Sequence, residues 1–494
     1  VGQSLDKLEF TQEDVARFSA RLEESLEALE RLLARPGFGV GPRTLGAELE
    51  VHLVDRQGRA LGVSDEVLAR NRHSKLTVEM GRFNVEINAG VVPLAGWPFR
   101  EFGADLTRAL AEVRRAAGEV GGRVAVVGML PTLRLEDLDP SIITPVPRYH
   151  AIQHGLRGHR ARPFQLHIEG EETLSQEMES ISAAGACTSL QYHLRVDPAD
   201  FARAHNAAQL ATAPVLALCG NSPLFLGRRL WQETRVTLYR QTMDGRSREE
   251  EAMELPPRTS FGHGWVHHGA HELFAQGVAL YAPLLPVLGH ESPLEVVARG
   301  EVPGLDELRM QQGTLYAWNR AVYDPACGGH LRVELRALPA GPTVPDMLAN
   351  GAFLLGLTLS LMDEMEALMP AMPFRCARTN FYRAARDGLD ALLLWPSHPG
   401  RPLATLPARE LLPRLLARAQ QGLVSAGVAP GDVEPLFALL EGRLRTGRTG
   451  ARWQLDALAR LEADRPRHEA LTAMLERYLV HSEENTPVHT WPDV

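Results

Sequence analysis

The chain has 494 residues, 45% of them hydrophobic, with 52 basic and 61 acidic side chains and a formal net charge of −9. That length exceeds one typical core, so one large domain with appendages, or two domains, is expected. The acidic balance speaks against non-specific nucleic-acid binding; with lysine confined to Lys7 and Lys75, a phosphate site must use arginine, metal or backbone amides.

Leu22, Leu26, Leu29 and Leu33 recur at helical spacing in residues 12–35, and Pro36-Gly37 stops the helix. Next, Gly46-Ala47-Glu48-Leu49-Glu50-Val51-His52-Leu53 alternates polar and apolar residues, as a strand does. Glu48 and Glu50 then project from one face, about 6–7 Å apart at the backbone. Carboxylates that close repel unless solvent, protons or cations separate them. A divalent metal is the productive solution; a solvated strand face is the plain alternative. A second strand is expected at 83–87, with Asn84, Glu86 and Asn88 on one face. Gly81 permits a turn that brings Glu79 back toward Glu86.

Residues 102–120 read as a helix ended by Gly121-Gly122, and 123–129 as a strand. Residues 164–169 and 189–196 alternate as strands, the second placing Gln191, His193 and Arg195 on one face. A helix is expected at 202–218 and short strands at 236–239 and 331–338; Arg332, Glu334 and Arg336 share a face of the last. Residues 347–369 read as a long apolar helix, and the apolar stretch near 352–362 is too short to span a bilayer. Such mixed order predicts an α+β fold with an antiparallel or mixed sheet. The composition changes after Trp395-Pro396-Ser397-His398-Pro399-Gly400-Arg401-Pro402, and residues 405–482 carry Leu, Ala, Arg and Glu at helical spacing. The expected organisation is an N-terminal helical segment (1–40), a catalytic domain (41–396) and a C-terminal helical segment (397–494) that packs on the core or on a partner. Its tail from 482, with Pro487 and Pro492, is expected to be irregular.

Cys187, Cys219, Cys327 and Cys376 form no CxxC pair, so neither a zinc site nor a disulfide framework is indicated. With no signal pattern at the start of the chain, a cytoplasmic location is expected. His263, His267, His268 and His271 cluster without an HExxH pattern; a loop lining the substrate cleft, with Trp265 as a wall, is the expectation. Met362, Met365, Met369 and Met372 are assigned to core packing, and Glu249–Glu251 to a solvated face. Taken together, the four polar strand faces are dominated by Glu, Arg, Gln, His and Asn. Carboxylates suit Mg²⁺ or Mn²⁺ and arginines suit phosphate oxygens, so a sheet face with both describes a metal–nucleotide site.

Gly-Ala-Glu-Leu-Glu, Asn-Val-Glu-Ile-Asn, the Gln-Tyr-His-Leu strand and Arg-Val-Glu-Leu-Arg resemble the glutamate–cysteine ligase type-2 family of carboxylate–amine ligases. Support comes from Gly128-Met129-Leu130-Pro131, Asn221-Ser222-Pro223, Trp231-Gln232-Glu233-Thr234-Arg235, Trp318-Asn319-Arg320 and Leu338-Pro339-Ala340-Gly341-Pro342. The resemblance runs from about Leu45 to about Leu357. It implies a glutamine synthetase-like antiparallel sheet with a concave active-site face and helices on the other side. It also implies ATP-dependent formation of a γ-glutamyl amide through an acyl phosphate, as in the first step of glutathione-type thiol synthesis. Carried over by motif, Glu48, Glu50, Glu79, Glu86 and Glu334 match metal carboxylates. Gln191 stands where some branches have a histidine ligand, and its amide oxygen is the expected donor. Arg336 matches the arginine serving the transferring phosphoryl group, and Arg235 one near the γ-phosphate or the acceptor carboxylate. Arg332 and His193 are assigned to the nucleotide, and Arg148, Tyr149, Asn88 and Trp265 to substrate. The implied cofactors are ATP and two to three Mg²⁺ or Mn²⁺ ions. The implied partners are glutamate and an amine such as cysteine, without nucleic acid or membrane; a homo-oligomer is left open. The alternatives are a ligase using a different amine or carboxylate, and a catalytically silent ligand-binding relative.

Overall fold

The computed structural model describes residues 9–72, 75–396 and 403–494. Ten strands are used below: β1 (Thr44–Val54), β2 (Leu76–Val78), β3 (Asn84–Asn88), β4 (Val92–Pro93), β5 (Arg123–Ala125), β6 (Phe164–Glu169), β7 (Thr173–Met178), β8 (Leu190–Val196), β9 (Asn319–Asp324) and β10 (His330–Leu335). Their alternation decides the architecture. Leu45, Ala47, Leu49 and Val51 on β1, Val85 and Ile87 on β3, and Leu331, Val333 and Leu335 on β10 are all buried. One face of each strand therefore needs a helical layer, and the polar face is left for another use. The strands join in the order β9-β10-β8-β1-β3-β2, every neighbour antiparallel, with β4 and β5 also pairing with β1. β6 and β7 form a separate hairpin. The α+β class read from the sequence is the one observed.

Helices Pro98–Glu119, Phe201–Cys219 and Val344–Met362 pack behind the sheet. The last lies directly under β8: a Cβ on Gly351 would come within 2.3 Å of the Tyr192 ring, so only glycine permits the approach. Its other side meets helix Ala408–Ser425, where a Cβ on Gly356 or Gly422 would sit 2.3 Å from the opposing backbone oxygen. This double contact explains its composition. By length and apolarity alone it passes for a membrane span, but 89% of that window is buried in the protein.

Helices Pro430–Thr446, Gly450–Leu461 and Arg467–Glu484 complete the C-terminal region. They are bound to the core by buried polar contacts. Arg443 donates to Asp346 Oδ1 (2.8 Å) and to Asn350 Oδ1 (2.6 Å). The Tyr478 hydroxyl donates to the Val126 carbonyl (2.9 Å) and accepts from Asn221 Nδ2 (2.9 Å). The proline/glycine-rich residues 397–402, where the sequence places a boundary, lie outside the described residues.

Three expectations change. Residues 236–239 are not a strand but part of helix Arg235–Thr242; four residues are too few for a period that separates a strand from a helix. The long apolar helix breaks at Asp363-Glu364 into Val344–Met362 and Met365–Ala371. The strand expected at 123–129 pairs only over β5. The tail is irregular yet packed: Val488 and Trp491 are buried, with Trp491 edge-on to Trp453 and Tyr478.

Candidate active site

The polar faces of β1, β3, β8, β9 and β10 meet through the sheet register. Glu50 lies opposite Glu86, and Glu48 between Asn88 and Gln191. Glu334 lies between His193 and Arg320. Directly opposed antiparallel residues stand about 4.5–5.5 Å apart at Cβ, so these side chains form one continuous surface. It borders a cavity of ≈ 910 Å³ lined among others by Glu48, Glu50, Glu79, Glu86, Arg235 and Arg336.

The acidic residues fall into two groups. Glu50, Glu79 and Glu86 each place a carboxylate oxygen within 4.8 Å of the others, and Glu48, His193 and Glu334 do the same with an imidazole nitrogen among them. The first group is held by neutral donors. Glu50 accepts from the Ser189 amide (2.7 Å), the Ser189 hydroxyl (3.0 Å) and Gln191 Nε2 (3.0 Å). Glu86 accepts from Asn88 Nδ2 (2.8 Å) and the Thr77 hydroxyl (3.1 Å). Glu79 accepts from the Met80 amide (3.1 Å). Burial, and then the neighbouring carboxylates, push Glu79 well above the ordinary carboxylate range and Glu86 up to about 7. Burial also raises Glu50. None of the three has an ion pair among the described residues.

The second group is held by cations. Burial disfavours ionisation of Glu334, but Arg320, Arg336 and His193 outweigh it and hold its carboxyl far below the usual range. Arg320 grips it with two bonds, Nε to Oε2 (2.5 Å) and Nη2 to Oε1 (3.0 Å), while Arg336 Nη1 donates to Oε1 (3.1 Å). His193 Nε2 stands 3.1 Å from Glu48 Oε1 and 3.7 Å from Glu334 Oε1. Burial works against Glu48 too, yet His193 carries it below its ordinary value. Gln191 joins the groups: its Nε2 serves Glu50 and its Oε1 accepts from Arg336. The imidazole thus enters from His193, two residues beyond the position where the motif places a ligand.

Of the remaining expected residues, Arg148 and Tyr149 line the cavity. Arg148 donates to the Gly313 carbonyl (3.1 Å) and has no carboxylate partner among the described residues. Burial and the charges of Glu79 and Glu86 push the Tyr149 phenol up. Arg235 opens its helix, with Nε on Glu233 (3.0 Å). Arg332 reaches the cavity but is paired with Asp324 (2.5 Å). Asn88 supports Glu86. Trp265 does not line the cavity: its indole N–H donates to the Met372 carbonyl (2.8 Å) and its ring packs edge-on against Phe374. The polar strand faces read from the sequence do not include Arg320 or Ser189. Residues 319–324 and 330–335, joined by a turn with Pro325 and Gly328-Gly329, carry a hairpin signal that would have placed Arg320 opposite Glu334.

A family model for glutamate–cysteine ligase family 2 matches residues 44–476. The chain belongs to that family. Membership makes it a ligase of the carboxylate–amine kind. The fold of this family 2 ligase is glutamine synthetase-like, as a solved structure of glutamate–cysteine ligase from Francisella tularensis in complex with AMP illustrates. The two superpose with a TM-score of 0.56 at 11% identity, over 90% of this chain and 89% of that one. A bifunctional glutathione synthetase from Pasteurella multocida aligns with a TM-score of 0.46 at 12% identity, over 94% of this chain but 55% of the other. A complex of the prokaryotic ubiquitin-like protein Pup with its ligase PafA aligns at 0.38 and 11% identity, over 89% and 72%. A search of curated protein sequences gave no match.

The donor chemistry of both groups fits hard divalent cations. Five carboxylates and one imidazole converge, and three of the carboxylates, Glu50, Glu79 and Glu86, are half-buried against one another with no ion pair among the described residues. Such an arrangement costs free energy unless protons or cations fill it. Oxygen-rich sets favour Mg²⁺ or Mn²⁺ over thiophilic metals.

Proposed function

We propose that this protein is an ATP-dependent ligase that joins the γ-carboxylate of glutamate to an amine, with cysteine the first acceptor to test. The observation that carries this reading is the trio Glu50, Glu79 and Glu86, three half-buried carboxylates with no ion pair among the described residues, set beside the Glu48–His193–Glu334 group and Arg336. Family membership and the AMP-bound Francisella structure support a nucleotide as the phosphoryl donor. A cytoplasmic location and small-molecule partners belong to the same reading.

The residues divide the work as follows. Glu50, Glu79 and Glu86 would hold one divalent ion, and Glu48, His193 and Glu334 another. Such ions neutralise phosphate charge and draw donor and acceptor together. Arg336, oriented by Glu334 and Gln191, serves the oxygens of the transferring phosphoryl group. A planar guanidinium suits charge spread over those oxygens. Arg148, with its free charge in the cavity, serves a substrate carboxylate, and Tyr149 walls the site beside Glu79 and Glu86. The glutamate carboxylate takes the γ-phosphoryl group and releases ADP; the amine attacks the acyl phosphate, expels phosphate and loses a proton.

The test is phosphate release from ATP with Mg²⁺ and glutamate, screened across amines, with the amide product identified by mass. Release that needs both glutamate and an amine is expected. Release indifferent to glutamate, or none with any amine, overturns the proposal.

A further inference from the structure

A second cavity, of ≈ 580 Å³, shares no lining residue with the catalytic one. Separate parts of the chain wall it: the turn after β1, residues 132–135, β7, residues 226–228 and the start of helix Arg467–Glu484. They contribute Arg59, Arg134, Arg228, Arg467 and His468. No aspartate or glutamate is among the described lining residues, although the chain is net acidic.

The arginines are positioned from outside the cavity. Arg59 donates to Glu136 and Asp137 at 2.8 Å each, and Arg467 to Glu172 (2.7 Å) and Glu462 (2.5 Å). These carboxylates orient the guanidiniums without lining the space. The buried Arg59 Nε has no acceptor. Arg134 and Arg228 are exposed, and their side chains make only long contacts, 3.5 Å to Glu136 and 3.9 Å to Glu172. The N-cap of helix Arg467–Glu484 is Pro466, which supplies no side-chain acceptor, while Glu469 in the first turn offsets part of the field of the helix end. Thr173, Ser175 and Thr472 add hydroxyls, and Leu133, Leu135, Leu174, Leu226 and Leu471 add apolar surface.

We propose that this cavity binds a phosphate monoester with an apolar body, at a site distinct from the catalytic one. Guanidiniums and hydroxyls take the phosphate, and the leucines take the body. The volume lies within the usual range for small-molecule sites, about 300–1,000 Å³. The inference stands independently of the ligase reading.

The test is calorimetric titration of the full chain with 1-naphthyl phosphate, beside inorganic phosphate and 1-naphthol. The ester should bind at least tenfold tighter than either. Arg134→Ser combined with Arg228→Ser should raise its Kd at least tenfold without lowering Tm, since only long contacts are lost. Should that double variant not fold, Arg134→Gln alone should raise Kd severalfold. Leu135→Ser should weaken the ester while leaving inorganic phosphate unchanged. An unchanged Kd in the arginine variants, or 1-naphthol binding as tightly as its phosphate, overturns the proposal.

Discussion

Arg336 is the residue whose role can be separated most cleanly from binding. It contacts Gln191 and Glu334, so its guanidinium is already aimed across the boundary between the two carboxylate groups. Arg336→Ala should lower kcat by about 10²–10³-fold, as the loss of one charge-stabilising donor does elsewhere, while nucleotide Kd changes far less. Arg336→Lys should rescue only in part, because a point charge lacks the planar fork. A kcat near wild type, or a change confined to Kd, would make Arg336 a ground-state binder. The raised carboxyls of Glu79 and Glu86 carry a second expectation. Glu86 moves from an ordinary 4.5 to about 7. A carboxyl whose folded pKa is raised contributes stability below its unfolded pKa, and that contribution is lost as pH rises through the folded value. The metal-free protein should therefore lose stability between about pH 4.5 and 7, and Mg²⁺ should restore it by replacing protons. The Mg²⁺-induced rise in Tm should be larger at pH 8 than at pH 6; a rise independent of pH would refute the linkage. Activity should vanish on exhaustive chelation and return with Mg²⁺ or Mn²⁺.

At the scale of elements, the clearest prediction concerns the C-terminal helices. Arg443 and Asp346 form a fully buried pair, and removing one partner of such a pair costs about 3–5 kcal/mol. Arg443→Ala should lower unfolding free energy by that order in denaturant titration. Turnover per folded molecule should stay near wild type at a temperature where the variant is folded, since this pair is remote in contact from the cavity lining. Much of the site was legible from strand faces: Glu48 and Glu50, Asn84 and Glu86, Glu334 and Arg336 each declare a shared face by spacing of two. What spacing alone does not declare is register. Only the pairing of β8 with β10 and β1 sets His193 between Glu334 and Gly46, a neighbourhood that spacing along β8 does not declare. Arg320 was hidden because β9 buries Asn319 along with Ala321 and Tyr323, which blurs its polar–apolar alternation. Trp265 was misplaced because a loop has no period from which its direction can be read.

For the whole molecule, the C-terminal region is part of the core rather than an addition to it. Gly356 and Gly422 bring two helices into backbone contact, and Tyr478 reaches Val126 immediately after β5. A chain ending at residue 402 would expose the outer side of helix Val344–Met362, a large apolar surface. It should be insoluble or unfolded, with no metal-induced gain in Tm; a soluble, cooperatively folded fragment would contradict this. Strand β1 has a different consequence, for how the protein can vary over generations. Glu48 serves one carboxylate group and Glu50 the other, two residues apart on one strand. A substitution at either position harms one group and leaves its neighbour. Adding or deleting one residue between them turns one side chain toward the helices, and a one-residue slip of the whole strand turns both. The lineage is therefore free to change letters along much of this segment but not its length. Insertions should be confined to the connections between strands, and a library of single-residue deletions across 44–54 should yield almost no active members.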